Sequence, residues 1–300
     1  MVRIAVAGAQ SSTIDLVKAL IYSSHKIDYI INPGPNKEHM ISDYQDLEKL
    51  TKDINAKLLR PKTYTMKDNE SINLFDKINI DILIVVGWQR LIPAWLLTKI
   101  SIGAFGMHGS SEPLPRGRGR SPMNWSIIEG KNKFITNLFK YDEGIDSGEV
   151  VDTQTFDIYP WDTIATLQHK NTISQIQLIL KNLPKIIDQE IKYIPQRTDI
   201  EPTYYPKRVP EDGVINWRDS SENIFSLVKA VTYPYPGAFT YDGKSKIFIW
   251  EGHPFDSYIN FPNINPGQIV FCFHDGTFII KTNDSSFYVT KWESFSNWRP

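Results

Sequence analysis

His108 stands at the end of an apolar run and opens the segment Gly106 to Trp125, which is dense in residue types that bind or react. Imidazole ionises near neutrality, so a histidine at a strand end can take a proton from a substrate there. Arg116, Arg118 and Arg120 follow, interleaved with glycines. Guanidinium forks pair bidentately with phosphate or carboxylate, and this spacing lets several approach one anion. Asp146 lies in a turn between Gly144 and Gly148, a second charged candidate. Each feature also has a plainer reading: a histidine satisfied in the core, a solvated basic loop, and an aspartate that forms a turn.

Other chemistries find no support. Gly8 to Ser12 lacks the second and third glycines of a dinucleotide loop, and no Gly-Lys-Ser/Thr phosphate loop occurs. The six histidines show no pair at metal-ligand spacing, so no metal is expected. Cys272 is the single cysteine, which excludes an internal disulfide and reads as a small buried apolar residue. With 33 Lys+Arg against 34 Asp+Glu, the net charge of -1 builds in no general attraction to nucleic acid or an anionic membrane. No apolar run approaches the roughly 20 residues of a membrane helix. The apolar start, Met1 to Ala9, is short and reads as a buried strand and not as an export signal. A cytoplasmic protein is expected.

The elements that must position these residues alternate. Val2 to Ala7 reads as a strand, Gly8 as a turn, and Ser11 to Thr13 as the cap cluster of a helix carrying Ile14, Val17, Leu20 and Ile21 on one face. A strand at Ile27 to Ile31, a helical spacing at Tyr44, Leu47, Leu50 and Ile54, and a fainter βα step over Lys57 to Asp76 follow. Asp81 to Val86 is continuously aliphatic, as in a sheet covered on both faces. Beyond it lie a short helix from Pro93, a strand from Ala104 to His108, and a helix opening at Ser121. Strands at Lys133 to Tyr141 and Glu149 to Phe156 precede a long helix capped by Asp162 and ending near Ile187.

This order predicts an α/β class: a Rossmann-like, doubly wound, mostly parallel sheet over residues 1–190, with ligands at the carboxyl ends of its strands. The 300 residues suit two domains. Residues 191–208, rich in Pro, Tyr and mixed charge, read as a linker. Residues 209–300, with turns at Asp242 and Asp275, read as a small β-barrel or sheet.

The motifs around His108, Leu114, Arg118 to Pro122 and Gly144 to Gly148, with the segments Gly87 to Pro93, Pro210 to Trp217 and Thr232 to Phe239, resemble the folate-dependent formyltransferase family over nearly the whole chain. The resemblance implies a Rossmann-like domain followed by an OB-like β-barrel, and transfer of a formyl group from 10-formyltetrahydrofolate to a primary amine. In the family motif Asn-x-His with a distant Asp, His108 matches the histidine and Asp146 the aspartate. The asparagine position falls on Gly106. His108 would be the base and Asp146 would orient and charge the site. Loss of the Asn amide without replacement would cost about 10²–10³ in rate. Gln89, Asn124, Ser110 or a water could substitute.

By the same resemblance the pterin lies against Trp88, Gln89, Arg90, Leu91 and Ile92 and the turn of Asp142, Gly144 and Ile145. Leu91 and Ile92 would be apolar walls. The acceptor would meet Gly8, Gln10, Ser11, Ser110, Arg116, Arg118, Arg120 and Asn124. Lys192, Arg197, Lys207 and Arg208 are matched by six acids between Asp188 and Asp212, which argues against the broad basic surface that transfer RNA requires. The expected acceptor is therefore a nucleotide-linked 3-amino or 4-amino deoxysugar of surface-polysaccharide synthesis. A methionyl-tRNA formyltransferase, and a non-catalytic protein that binds folate or sugar nucleotide, are the alternatives. Tyr233, Tyr235 and Phe239 suit either a homodimer contact or a buried seam.

Overall fold

Aliphatic strands and amphipathic helices alternate through the first half of the chain. The computed structural model describes residues 2–295 and 298–300. It shows β1 (Ile4–Ala7), α1 (Ser11–Tyr22), β2 (Tyr29–Ile31), α2 (Glu48–Asp53), β3 (Lys57–Leu59), α3 (Asn69–Phe75), β4 (Ile82–Val85) and α4 (Ala94–Lys99). There follow β5 (Gly103–Ser110), β6 (Arg118–Gly119), α5 (Pro122–Ile128), β7 (Lys133–Lys140), β8 (Val150–Asp157), α6 (Ile164–Ile187), β9 (Tyr204–Tyr205) and α7 (Ser221–Val231). The last strands are β10 (Ala238–Asp242), β11 (Ser245–Pro254), β12 (Ile269–Cys272), β13 (Phe278–Lys281) and β14 (Ser286–Ser294).

Two compact units form. One takes the chain up to residue 119 with 133–156 and 169–204; the other takes 120–132, 157–168 and 205 onward. Within the second unit, buried Asn124 of α5 donates from Nδ2 to the carbonyl of Ala230 on α7 at 2.7 Å. The segment 191–208 is not a free tether. Ile194 bridges Val150, and β9 pairs with β6.

The first unit is built on a seven-stranded sheet of order β3-β2-β1-β4-β5-β7-β8. The pairings among β1 to β5 are parallel, and β7 runs antiparallel to β5, with His108 opposite Asn137. Alternate residues of β4 serve opposite faces: Ile82 and Ile84 pack in one core cluster, Leu83 and Val85 in the other. That double burial is why the segment shows no polar alternation. The strand order reverses between β1 and β4, and the crevice at the carboxyl ends there is where such sheets bind ligands.

Several expected boundaries shift. α1 begins at Ser11, so the expected cap residues lie inside it; Gln10 flanks it and donates its N–H to Thr13 Oγ1 at 3.3 Å. α2 is shorter than the spacing from Tyr44 implied, because the Tyr44 hydroxyl reaches out to the Pro33 carbonyl at 2.9 Å. α6 starts two residues beyond Asp162, whose carboxylate accepts the Tyr159 N–H at 2.7 Å.

The second unit carries a five-stranded antiparallel sheet, β10-β11-β14-β13-β12, with α7 capped by Ser220. Asp242 pairs with Ser245 around Gly243 at φ 57°, the hairpin expected of Asp-Gly. The ladder among the described residues runs from β10 to β12, an antiparallel sheet in the place of the expected small β domain. Cys272 ends β12 exposed, not buried. No helix among the described residues is long and apolar enough to cross a membrane.

Candidate active site

His108 emerges where β5 passes from parallel pairing with β4 to antiparallel pairing with β7. Its ring is 9% exposed. Nε2 lies 2.7 Å from the Gly117 carbonyl oxygen. A carbonyl only accepts, so Nε2 carries the hydrogen, and Nδ1 is left to take a proton. Nδ1 faces Asp146 Oδ2 at 3.4 Å, longer than a good hydrogen bond but close enough to stabilise an imidazolium.

Asp146 is held from three sides. It sits at φ 50°, in the left-handed region that Asp tolerates better than most residues. Inside the turn, Asp142 Oδ1 accepts from Gly144 N at 3.0 Å and from the Ser147 hydroxyl at 2.6 Å. Asp146 Oδ2 accepts the Gly119 N–H at 2.9 Å. From the segment expected to be a linker, Gln196 Nε2 donates to the carbonyls of Asp146 and Gly148 at 2.8 and 2.9 Å. Thr203 pins the other side, accepting from Gly117 N at its hydroxyl and from Arg118 N at its carbonyl.

Gly106 is where the family asparagine is missing, and its space is taken. A Cβ built there would lie 2.4 Å from the Tyr141 phenol oxygen and 2.5 Å from Cζ. Tyr141 follows β7, donates its N–H to the Ala104 carbonyl, and packs edge-on against Phe139 at 5.1 Å. Burial, and secondarily Asp146, pushes its phenol well above the usual range.

The residues expected along the pterin divide. Trp88 is buried, edge-on to Tyr64 at 4.7 Å, with its indole N–H unpartnered among the described residues. The Gln89 N–H donates to the Tyr64 oxygen, and the Arg90 guanidinium lies over the Tyr64 ring. Leu91 and Ile145, at 53% and 47% exposure, are apolar side chains standing out on the two expected pterin loops. Ile92 is 6% exposed and packs in the core, so of the two expected walls only Leu91 faces outward.

The residues expected at the acceptor are divided between the two units. Arg116 is half exposed, 3.7 Å from Glu112. Arg118 is buried; Nη2 donates to Gln196 Oε1 at 2.6 Å and Nη1 to the Tyr204 oxygen at 3.3 Å. Its Nε has no partner, and no carboxylate pairs with it among the described residues. Arg120 belongs to the second unit, its N–H donating to the Tyr205 carbonyl. The expected three-arginine cluster is therefore not formed within one unit. Asn124, also in the second unit, spends its amide on Ala230. Ser110 is fully buried and its oxygen accepts from Glu112 N.

At the end of β1, Gly8 is a close-packing position: a Cβ would lie 2.0 Å from the Val86 carbonyl oxygen. The Gln10 amide donates to the Ser42 carbonyl at 2.8 Å, and both N–H and hydroxyl of Ser11 go to Asp43. A surface hollow lined by Lys26, Asp28, Tyr29, Asn55, Ala56 and Lys57 lies at the amino ends of β2 and β3 and holds none of the expected residues. Among the described residues, no group of three His, Cys, Asp or Glu is placed to hold a metal ion.

Sequence reasoning missed Tyr141, Gln196, Asn32 and Asn137. Asn32 is fully buried and donates to the Gly8 and Gln45 carbonyls, and Asn137 donates to the His108 carbonyl at 3.3 Å. A glycine where an amide was expected was the one signal that pointed toward Tyr141.

Two family models match, "Formyl transferase" over residues 2–183 and "Formyl transferase, C-terminal domain" over residues 207–294. The bifunctional polymyxin resistance protein ArnA of Wigglesworthia glossinidia brevipalpis is 34% identical over 188 residues, 62% of this chain and 28% of that protein. Among solved structures, HypX of Aquifex aeolicus superposes with a TM-score of 0.70 at 18% identity, over 97% of this chain and 46% of its own. The N-formyltransferase of Helicobacter canadensis, solved with folinic acid and dTDP-3-aminofucose, gives a TM-score of 0.70 at 18% identity, over 97% of this chain and 100% of its own. The chain thus spans about a quarter of ArnA and under half of HypX.

Proposed function

The chain belongs to the formyl transferase family, and on that premise we propose that it moves a formyl group from 10-formyltetrahydrofolate to the primary amine of a nucleotide-linked amino deoxysugar. The observation that carries the reading is the His108 Nδ1 facing the Asp146 carboxylate at 3.4 Å at a strand tip. An ammonium cannot attack a carbonyl. His108 Nδ1 takes the proton that the acceptor nitrogen must lose, worth about 10²–10⁴ in rate, and Asp146 stabilises the resulting imidazolium. Gly117 fixes the tautomer through Nε2, so the basic atom is defined before substrate arrives.

The residues present fit a folate. Two buried donors, Trp88 Nε1 and Arg118 Nε, lack acceptors among the described residues, and folate is rich in acceptors. Leu91 and Ile145 offer exposed apolar surface for a planar ring. When bound, the folate supplies the activated one-carbon unit; the chain supplies binding, orientation and the base.

For the acceptor, the support is electrostatic. Arg197, in the segment between the sheets, is paired with Asp199 at 2.5 Å, and the chain is near neutral, so no wide basic face for transfer RNA is built. The Helicobacter canadensis relative, solved with an amino-sugar nucleotide, supports the same reading. A role in surface-polysaccharide synthesis and a cytoplasmic site go with it. Incubating the protein and 10-formyltetrahydrofolate with a panel of nucleotide-linked 3-amino and 4-amino deoxysugars, and separately with initiator methionyl-tRNA, tests this by mass spectrometry. A formylated sugar nucleotide is expected; formylation of the tRNA alone overturns the choice.

A further inference from the structure

We propose that the Tyr141 hydroxyl is a catalytic hydrogen-bond donor to the formyl carbonyl oxygen, filling the place left open by glycine at position 106. The inference rests on the formyl-transfer reading above and deepens it.

Side chains two apart on a strand share a face, so any side chain at Gly106 would stand beside His108. No side chain stands there. Backbone pairing to Ala104 brings Tyr141 alongside on the neighbouring strand, and its phenol reaches the point a Cβ at Gly106 would occupy, 2.4 Å from the oxygen. The two positions are reciprocal: a larger residue at Gly106 would require the Tyr141 ring to move. The ring is fixed by Phe139 and by the core cluster on that face of the sheet.

The hydroxyl is unspent. Tyr141 is only partly buried, and its oxygen has no hydrogen-bond partner among the described residues. Two other amides are spent. Asn124 donates to Ala230, Ser110 lies fully buried against Glu112 N, and buried Asn137 donates to the His108 carbonyl. Burial, and then Asp146, holds the phenol protonated through the working range, so it remains a donor.

In the step itself the acceptor nitrogen bonds to the formyl carbon and its proton passes to His108. Negative charge grows on the carbonyl oxygen, where the Tyr141 O–H donates without losing its proton. The bond from that carbon to folate N10 then breaks, and N10 receives the proton from His108. One such donor is worth about 10²–10³ in rate.

Tyr141→Phe should lower kcat by about 10²–10³, with KM and melting temperature unchanged. Gly106→Asn alone should fail by collision, whereas Gly106→Asn in a Tyr141→Val background should exceed Tyr141→Val alone by at least about tenfold, since the amide then has both room and role. A readout without turnover is the phenol ¹³Cζ resonance of Tyr141, which should shift when 10-formyl-5,8-dideazafolate is titrated in. Wild-type kcat in Tyr141→Phe, no gain in the paired variant, or an unmoved resonance with ligand bound each overturns the proposal. If wild-type protein formylates no amine, the functional reading falls, and the resonance still decides whether the phenol meets the formyl group.

Discussion

Two glycine sites of the same sheet, one just past β1 and one within β5, are built alike and finished differently. At β1, Gly8 leaves room for its neighbours, and three polar side chains nearby are used: the Thr13 hydroxyl donates to Val86 O at 2.7 Å, Asn32 holds the Gly8 carbonyl, and Asp43 takes Ser11. At β5, Gly106 also leaves room, yet the Tyr141 hydroxyl that enters is unspent, Nδ1 of His108 stands 3.4 Å from Asp146, and Arg118 Nε lacks a partner. Unmet hydrogen-bonding capacity costs stability and is retained where a ligand will meet it. On the proposed function, the contrast separates close packing after β1 from the proposed chemistry on β5.

The largest expected effect on the architectural side is Gly8→Ala. Its Cβ would press on a backbone carbonyl 2.0 Å away and on Thr13 at 2.2 Å, so chemical denaturation should show a loss of about 3 kcal/mol or more. Turnover per folded molecule should be unchanged. If the substitution is silent, the β1 tip is not the packed element described.

A smaller effect is expected at Gln196, which stands between the two kinds of residue. Gln196→Ala removes the donors to Asp146 and Gly148 and the acceptor for Arg118. Stability should fall by about 1–3 kcal/mol, and the pH profile of kcat should change because Asp146 is freed from its register with His108. Gln196→Glu restores the Arg118 contact but not the donors, so it should recover stability more than the profile. A profile identical to wild type in Gln196→Ala would make the residue purely structural.

Much of the fold was legible because it is local. Aliphatic runs such as Ile82 to Val86, turn residues at Gly8 and Asp242, and helical spacing in α1 and α6 report their own structure. His108 and Asp146 were legible through the motif, and the structure does bring them together. What stayed hidden depends on partners far away in sequence. Residues 191–208 lack periodicity because their order comes from Gln196 and Thr203 gripping loops 50 and 86 positions away. The alternating arginines suggested one cluster, but Arg118 turns inward to Gln196 while Arg116 stays near Glu112. The exchange of a side chain at Gly106 for one at Tyr141 crosses between strands and leaves only a glycine as its trace.

The account turns on His108 as the group that removes the proton from the acceptor nitrogen. The most direct test is single-turnover formyl transfer by His108→Ala, with the melting temperature and folate-analogue affinity measured on the same sample. A fall of about 10²–10⁴ in rate, with folding and affinity intact, is predicted. A rate equal to wild type would contradict it.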